Sequence, residues 1–365
     1  MNTPVYLFFG TTAEYIKLLP VIKGLQKKNI KYRLVLSGQT TVSINSFQQL
    51  VGTQTAYKNF DLKLKKPSAF GFGIWSIRTF FSSILWGFSE FRKKGNQHSL
   101  VIVQGDTVSA LIGGILSKIY GQRLFHVEAG LRTHTLFEPF PEEICRTVIG
   151  YLADVHFCPT KSSFSNLPRG KKLSTNINTS MESLSMVLNE KNIQVTHKLP
   201  KKFFLFIVHR QEHLFVRKEE TKKLMMYIFE QASKNLPCVF LVHDVTKAYL
   251  EHEGLLSKLK SMPNVHMTQT LGYLEFVKTL SDAEYIITDG GGNHTECYYL
   301  GKPCLIFRRK SEQTEGVGKN VVISEDNPKI ILNFMKNYKK YRRAGLKVKQ
   351  WPSEIIMKEI LKLQA

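Results

Sequence analysis

Short apolar runs alternate along the chain with longer stretches of helical period, the pattern of parallel α/β sheets. Val5 to Phe9 reads as a first strand, followed by a helix from about Ala13 to Lys28 and a strand in YRLVLSG. Leu100 to Gln104 and Arg123 to Val127 read as further strands, with a helix from Ala110 to Tyr120 between them. A helix around Glu142–Tyr151 and a strand in DVHFCPT follow. A second series then begins: FFLFIVH, a helix near Thr221–Lys234, CVFLVHD, NVHMTQ, EYIITDGGG, a helix from His294, and PCLIFR. The expected fold class is α/β, with two Rossmann-like domains built on parallel sheets. The first domain is expected over 1–168 and the second over 201–350. The polar, basic segment 169–200 (PRGKKLSTNINTS and its flanks) is read as the crossing between them, and a last helix over 351–365 is expected to pack back on the first domain.

Residues 69–91, AFGFGIWSIRTFFSSILWGFSEF, form the most apolar stretch. Arg78 interrupts it, and it falls short of a clean run of about 20 apolar residues that a membrane span needs. Ile74, Ile77, Phe81, Ile84, Leu85 and Phe88 recur at helical spacing and give it one apolar face, with Trp75, Phe80 and Trp86 off that face. Two readings stay open: a core helix under the first domain, or a helix that also dips into a lipid interface beside Arg92-Lys93-Lys94.

Composition narrows the function classes. A chain of 365 residues, 43% of them apolar, suits two domains with substantial cores and excludes disorder. The five cysteines have neither disulfide-framework nor zinc spacing, which fits buried thiols in a reducing cytoplasm. MNTPVYLFFGTTAEY lacks a basic n-region and reads as a strand, not a signal peptide. The formal charge of +22 would attract nucleic acid, anionic phospholipid or a phosphorylated small molecule. The sequence carries no signature of a nucleic-acid-binding module, so no nucleic-acid partner is expected.

The candidate chemistry lies where strands end. Asp106 follows one strand, Glu128 the next, and Glu142 opens a helix after a Pro-rich turn. Ligands of open parallel sheets bind outside the carboxyl ends of the strands, so these acids can converge on one point. Singly, each has a plain structural reading: Asp106 as a helix cap, Glu142 as first-turn charge favoured by the dipole. Together they suit a site that holds one carboxyl as acid and another as base, with Arg132 and Arg146 near enough in sequence to orient them. In the second half, His209, Arg210 and Glu212 follow a strand directly. The turn in IITDGGGNHTE offers backbone N–H groups and a helix start to phosphate, with Glu296 one turn on for a diol such as ribose.

HVEAGLRT, PEEICRTVIGYLAD, QGDT, VHRQE, TDGGGNHTE and LGKPCL, with FFGTTAEYIKLLPVIKGL at the start, follow the order and spacing of UDP-N-acetylglucosamine 2-epimerases. The chain resembles that family over nearly its whole length. The resemblance implies a GT-B-like fold with two domains facing a central cleft, a nucleotide-sugar substrate and a homodimer. It also implies that Asp106, Glu128 and Glu142 serve proton transfer, that His209 supports a departing diphosphate, that Arg146 joins the same cluster, and that Lys17, which matches a basic position in the first helix, binds substrate. Gly291, Gly292 and Glu296 would hold the nucleotide, with His243 and Phe276 nearby. No metal or nicotinamide cofactor is implied. The family's chemistry removes the C2 proton while UDP leaves C1, then returns the proton to the other face. UDP adds back, or water adds and releases free N-acetylmannosamine, in either case feeding surface polysaccharide.

This chain departs from the family where phosphate is held. Thr12-Ala13 stands for the usual Arg-Pro, Gly290 for a Ser, Asn293-His294-Thr295 for Ile-Gln-Glu, and Gln313 for an Arg. Lys17, Arg308 and Arg309 are the bases near enough in sequence to compensate. Two function classes therefore stay open on sequence: a cytoplasmic epimerase, or a glycosyltransferase reusing the scaffold at the inner membrane face, touching lipid through 69–94.

Overall fold

The computed structural model describes residues 3–60, 69–134, 140–193, 196–232, 234, 236–311 and 313–364. The chain divides into two compact units, Met1–Met186 with Lys349–Ala365, and Val187–Val348.

Unit 1 is built on β1 (Val5–Phe9), β2 (Tyr32–Leu36), β3 (Ala56–Asn59), β4 (Leu100–Gln104), β5 (Arg123–Val127), β6 (Val155–Cys158) and β7 (Lys171–Ser174). These make one parallel sheet in the order β3-β2-β1-β4-β5-β6-β7. Its helices are α1 (Thr12–Lys27), α2 (Gln48–Val51), α3 (Ala69–Phe91), α4 (Val108–Ile119), α5 (Glu142–Leu152), α6 (Lys161–Ser165) and α7 (Thr179–Leu188). Val5–Phe9 is buried throughout, as a strand covered on both faces must be.

Unit 2 repeats the plan with β8 (Phe204–Ile207), β9 (Cys238–Val242), β10 (Val265–Gln269), β11 (Ile286–Thr288), β12 (Cys304–Ile306) and β13 (Val321–Ile323), in the order β10-β9-β8-β11-β12-β13. The covering helices are α8 (Lys218–Ala232), α9 (Asp244–His252), α10 (Leu256–Lys260), α11 (Tyr273–Asp282), α12 (Gly291–Leu300) and α13 (Pro328–Asn337). In each unit the strand order reverses between neighbouring strands, at β1/β4 and at β8/β11, and such a switch point leaves a crevice for ligand.

The segment 169–200 is not simply a crossing. Lys171–Ser174 pairs with β6 as the edge strand β7, and α7 belongs to unit 1 as far as Met186. Its polar sequence suits an edge strand, which has solvent on one side. The last helix, α14 (Pro352–Gln364), packs on α1 in unit 1. Ser353 donates its N–H to Glu182 at 2.9 Å, and Lys171 pairs with Glu359 at 2.6 Å.

The apolar face expected to bury α3 points the other way. Phe70 is 80% exposed, Leu85 75%, and Ile74, Ile77, Phe81 and Phe88 are exposed too. Packing instead selects the face with Trp75, Thr79, Ser83 and Glu90, all buried. Gly87 lets α4 approach so closely that an added Cβ would lie 2.5 Å from the Tyr120 ring. Glu90 accepts hydrogen bonds from the Tyr6 and Tyr57 hydroxyls at 2.7 and 2.9 Å and pairs with Arg33 at 2.7 Å. Periodicity marks the apolar face of this helix, whereas close approach to α4 and the hydrogen-bonded Glu90 select the other face for burial. Among the described residues, no helix is long and apolar enough to cross a membrane.

Candidate functional site

In unit 1 the polar residues gather at the carboxyl ends of β1, β4 and β5. Thr11 caps α1 and forms a reciprocal capping box with Glu14. The buried Glu14 carboxylate accepts the Gly10 and Thr11 N–H groups at 2.9 and 2.8 Å and the Thr107 hydroxyl at 2.6 Å. Burial raises the pKa of Glu14 even against these donors. The residue therefore ties the β1–α1 turn to the start of α4.

Lys17, one turn further along α1, reaches Glu128 at 2.5 Å. Burial alone would lower the Lys17 pKa, but Glu128, backed by Asp106 and Glu14, raises it. Gln104 also donates to Glu128. Glu128 itself has φ +62°, a left-handed conformation that a non-glycine residue holds at a cost, and such strain collects at functional sites. Gly105, with φ +68°, makes the matching turn after β4.

Asp106 is held by Arg146, whose Nε donates at 2.7 Å. The same guanidinium reaches Glu143 at 3.3 Å, and Arg132 closes on Glu143 at 2.5 Å. Burial pushes the Glu143 carboxyl up, yet Arg132, the Thr133 N–H and Arg146 more than reverse this and hold it at about 2. The paired acids of α5 thus divide their work. Glu143 is buried and locked by two guanidiniums, whereas Glu142 turns one oxygen, Oε2, into a buried place with no hydrogen-bond partner among the described residues. Residues 135–139, in the stretch that leads to α5, lie outside the described residues. Lys17 with Glu128 and Arg146 with Asp106 are therefore brought together, the Asp106 charge also acting on Lys17, while Glu142 stands at the start of α5 beside the anchored Glu143.

Unit 2 centres on Asp289, fully buried after β11. Its carboxylate accepts the N–H groups of His209 at 3.0 Å and Arg210 at 2.9 Å. The Nδ1 atoms of His209 and His213 lie 3.1 and 3.2 Å from its two oxygens. Burial pushes the Asp289 carboxyl up, but the two imidazoles and the Arg210 N–H outweigh it and hold it well below the usual range. Asp289 therefore fixes the HRQEH turn after β8. Arg308 is buried and donates to the Asp289 carbonyl at 2.8 Å, a task of scaffolding.

The helix after the glycines starts at Gly291, ahead of the expected His294, so Gly291 and Gly292 form its first turn. A first turn has backbone N–H groups without helical partners, which suits an anion. Glu296 lies one turn in, its carboxyl pushed up to about 7 by burial, with Asn293 pulling the other way. His243 begins α9 with its ring 5.2 Å from that of His209, and burial first, then His209, lowers its pKa. A cavity of about 760 Å³ opens beside the two histidines, walled by Val242, Lys247, Lys260 and Gln269. Phe276 packs into the apolar cluster with Leu280 and Ile286. Among the described residues no group of His, Cys, Asp or Glu is arranged to hold a metal ion.

Sequence reading missed Glu14, Gln104, His213, Asp289 and Asn293 as parts of these sites. The Thr11-x-x-Glu14 spacing signals the capping box, and the acid directly before the glycines stands at a strand end. His213 and Asn293 carry no such signal.

The family model for UDP-N-acetylglucosamine 2-epimerase matches residues 23–353. The UDP-N-acetylglucosamine 2-epimerase of Neisseria meningitidis serogroup A is 30% identical over 350 residues, 90% of this chain and 90% of that protein. The Campylobacter jejuni enzyme of the same name is 28% identical over 344 residues, 88% and 85% of the two chains. Among solved structures, UDP-GlcNAc 2-epimerase from Methanocaldococcus jannaschii superposes with a TM-score of 0.79 at 26% identity, covering 99% of this chain and 100% of that one. The N. meningitidis enzyme bound to UDP-GlcNAc superposes with a TM-score of 0.76 at 27% identity, with the same coverage.

Proposed function

Because the chain belongs to the UDP-N-acetylglucosamine 2-epimerase family, we propose that it inverts C2 of UDP-N-acetylglucosamine, or of a close relative, by eliminating UDP and adding it back. Of the two classes that the sequence leaves open, family membership selects the epimerase. In this reading a carboxylate of unit 1 takes the C2 proton. The C1–O bond breaks with its electron pair leaving on UDP, and a C1–C2 double bond forms. A second acid then gives a proton to the opposite face of C2, and the UDP oxygen returns to C1. Water in place of UDP would release free N-acetylmannosamine.

The observation that carries the reading is the division of labour on α5. Glu143 orients Arg132 and Arg146, and Arg146 orients Asp106, while Glu142 keeps a buried oxygen without a partner among the described residues. We assign the C2 proton transfers to Glu142 with Asp106 and Glu128. In unit 2, His209 and the first turn of α12 receive the diphosphate. Incubation with UDP-N-acetylglucosamine in deuterated water tests the reaction: NMR should show deuterium at C2 and a manno product. No exchange with UDP-N-acetylglucosamine or its 2-acetamido relatives would contradict it.

The exposed stripe of α3 supports the homodimer that the family resemblance implies. A contiguous line from Phe70 to Phe88 is long for a surface that faces only water. Light scattering should give a dimer for the unaltered chain and a monomer for Phe81→Asp/Leu85→Asp. A monomer that sediments with anionic vesicles would assign the stripe, with Arg92-Lys93-Lys94, to a lipid surface instead.

A further inference from the structure

Gly290 precedes α12 in an extended conformation, φ −84° and ψ 127°, that any residue adopts. Its missing side chain therefore answers a need for space, not for backbone freedom. An added Cβ would stand 2.7 Å from the Asn293 Oδ1 and 3.0 Å from the His209 ring. Asn293 occupies the room that the glycine leaves. Its Oδ1 accepts the Thr288 hydroxyl at 3.1 Å, and the same hydroxyl accepts the Gly290 N–H at 3.0 Å. Its Nδ2 donates to Glu296 Oε2 at 3.1 Å. A chain of hydrogen bonds thus runs from the strand end, through Asn293, to the acid one turn into the helix. The direction is fixed at each link, because the carboxamide nitrogen only donates and the carboxylate only accepts.

We propose that Asn293 is a positioning residue of the nucleotide subsite, which uses the space left by Gly290 to hold the Glu296 carboxylate as an acceptor for the vicinal diol of a ribose. The role rests on the nucleotide-sugar reading of the site. The Asn293 amide also favours the charged form of Glu296, since burial pushes that carboxyl up to about 7 while Asn293 opposes the rise. An ionised, fixed carboxylate can accept from both ribose hydroxyls, whereas a protonated, turning one loses an acceptor site. Gly290 and Asn293 therefore act as a pair: the carboxamide needs the glycine.

Calorimetric titration with UDP and with 2′-deoxy-UDP tests this without relying on turnover. The unaltered protein should prefer UDP by about 10-fold, the scale of one charge-assisted hydrogen bond. Asn293→Ala should bring the two ligands within about 2-fold by weakening UDP alone. Gly290→Ala should reproduce that loss in the unaltered background and add at most about 2-fold to Asn293→Ala, where the 2.7 Å clash with the carboxamide is gone and only the looser approach to the His209 ring remains. Asn293→Ala should also shift the pH dependence of UDP binding toward higher pH, which a merely structural residue would not do. UDP binding with an undiminished preference in Asn293→Ala overturns the proposal alone. An unaltered protein that binds no UDP overturns the nucleotide-sugar reading and the proposal with it.

Discussion

The strand ends of unit 1 surround their acids with long cationic side chains, whereas those of unit 2 surround Asp289 with imidazoles and backbone N–H groups. Both units use the same kind of sheet, with a switch point at the corresponding place. The difference therefore lies in the loops, where folds of this class carry their chemistry. Lys and Arg beside carboxylates keep several acids close together without mutual repulsion, as proton chemistry at one carbon requires. A buried Asp that anchors two histidines and takes the turn's own N–H groups makes a rigid turn able to present an imidazole to an anion.

Breaking the unit 1 side should have the largest effect. Glu143→Ala leaves Arg132 and Arg146 without their buried partner and should cost about 3–5 kcal/mol in urea unfolding. A loss below about 1 kcal/mol would mean that the pair is not an anchor. Next comes acid sensitivity. His126 and His156 are buried in unit 1, and burial lowers both to about 4 from an ordinary 6.5. They stay neutral in the fold while the unfolded chain protonates them, so their contribution is complete above about pH 6.5 and is lost as pH falls toward 4. Each accounts for at most about 3 kcal/mol. Unfolding free energy measured against pH should fall across that window and fall less in His156→Phe. Glu143, ordinarily 4.5 and held at about 2, adds a further loss only below about pH 4.5.

Smaller effects sharpen the unit 2 side. Asp289→Asn keeps an acceptor but removes the charge that faces His209 and His213, and should cost about 1–3 kcal/mol of stability together with weaker UDP binding. Equal UDP affinity would remove Asp289 from the phosphate side of the account. The smallest change expected is a gain: Thr12→Arg restores a guanidinium to the β1–α1 turn and should tighten UDP about 2- to 10-fold, near 0.5–1.5 kcal/mol. An unchanged affinity would place that turn outside the diphosphate's reach.

Much of the fold was legible because buried central strands such as β1, β4 and β8 are continuous apolar runs flanked by helical period. The strands that escaped, β3, β7 and β13, lie at sheet edges: β3 and β7 carry polar residues that an edge tolerates, and β13 is apolar but only three residues long. α3 defeated periodicity because its buried face is made of Thr79, Ser83, Gly87 and Glu90, chosen for close approach to α4 and for a hydrogen-bonded acid. Asp106, Glu128 and Glu142 could be read as a set because each follows a strand or opens a helix at the same end of the sheet. The difference between Glu142 and its neighbour Glu143 could not, since it depends on which side of α5 meets Arg132 and Arg146. Asn293 was visible only as a departure from a motif, and its partner atoms appear only once α12 is wound from Gly291.

The most direct measurement pairs C2 deuterium exchange with UDP binding in Glu142→Gln. Exchange should fall about 10²- to 10⁴-fold, the usual worth of a positioned acid or base, while the UDP dissociation constant stays within about 3-fold. Exchange at the unaltered rate would remove Glu142 from the chemistry, and a matching loss of UDP binding would show that the two sites do not divide proton transfer from nucleotide recognition.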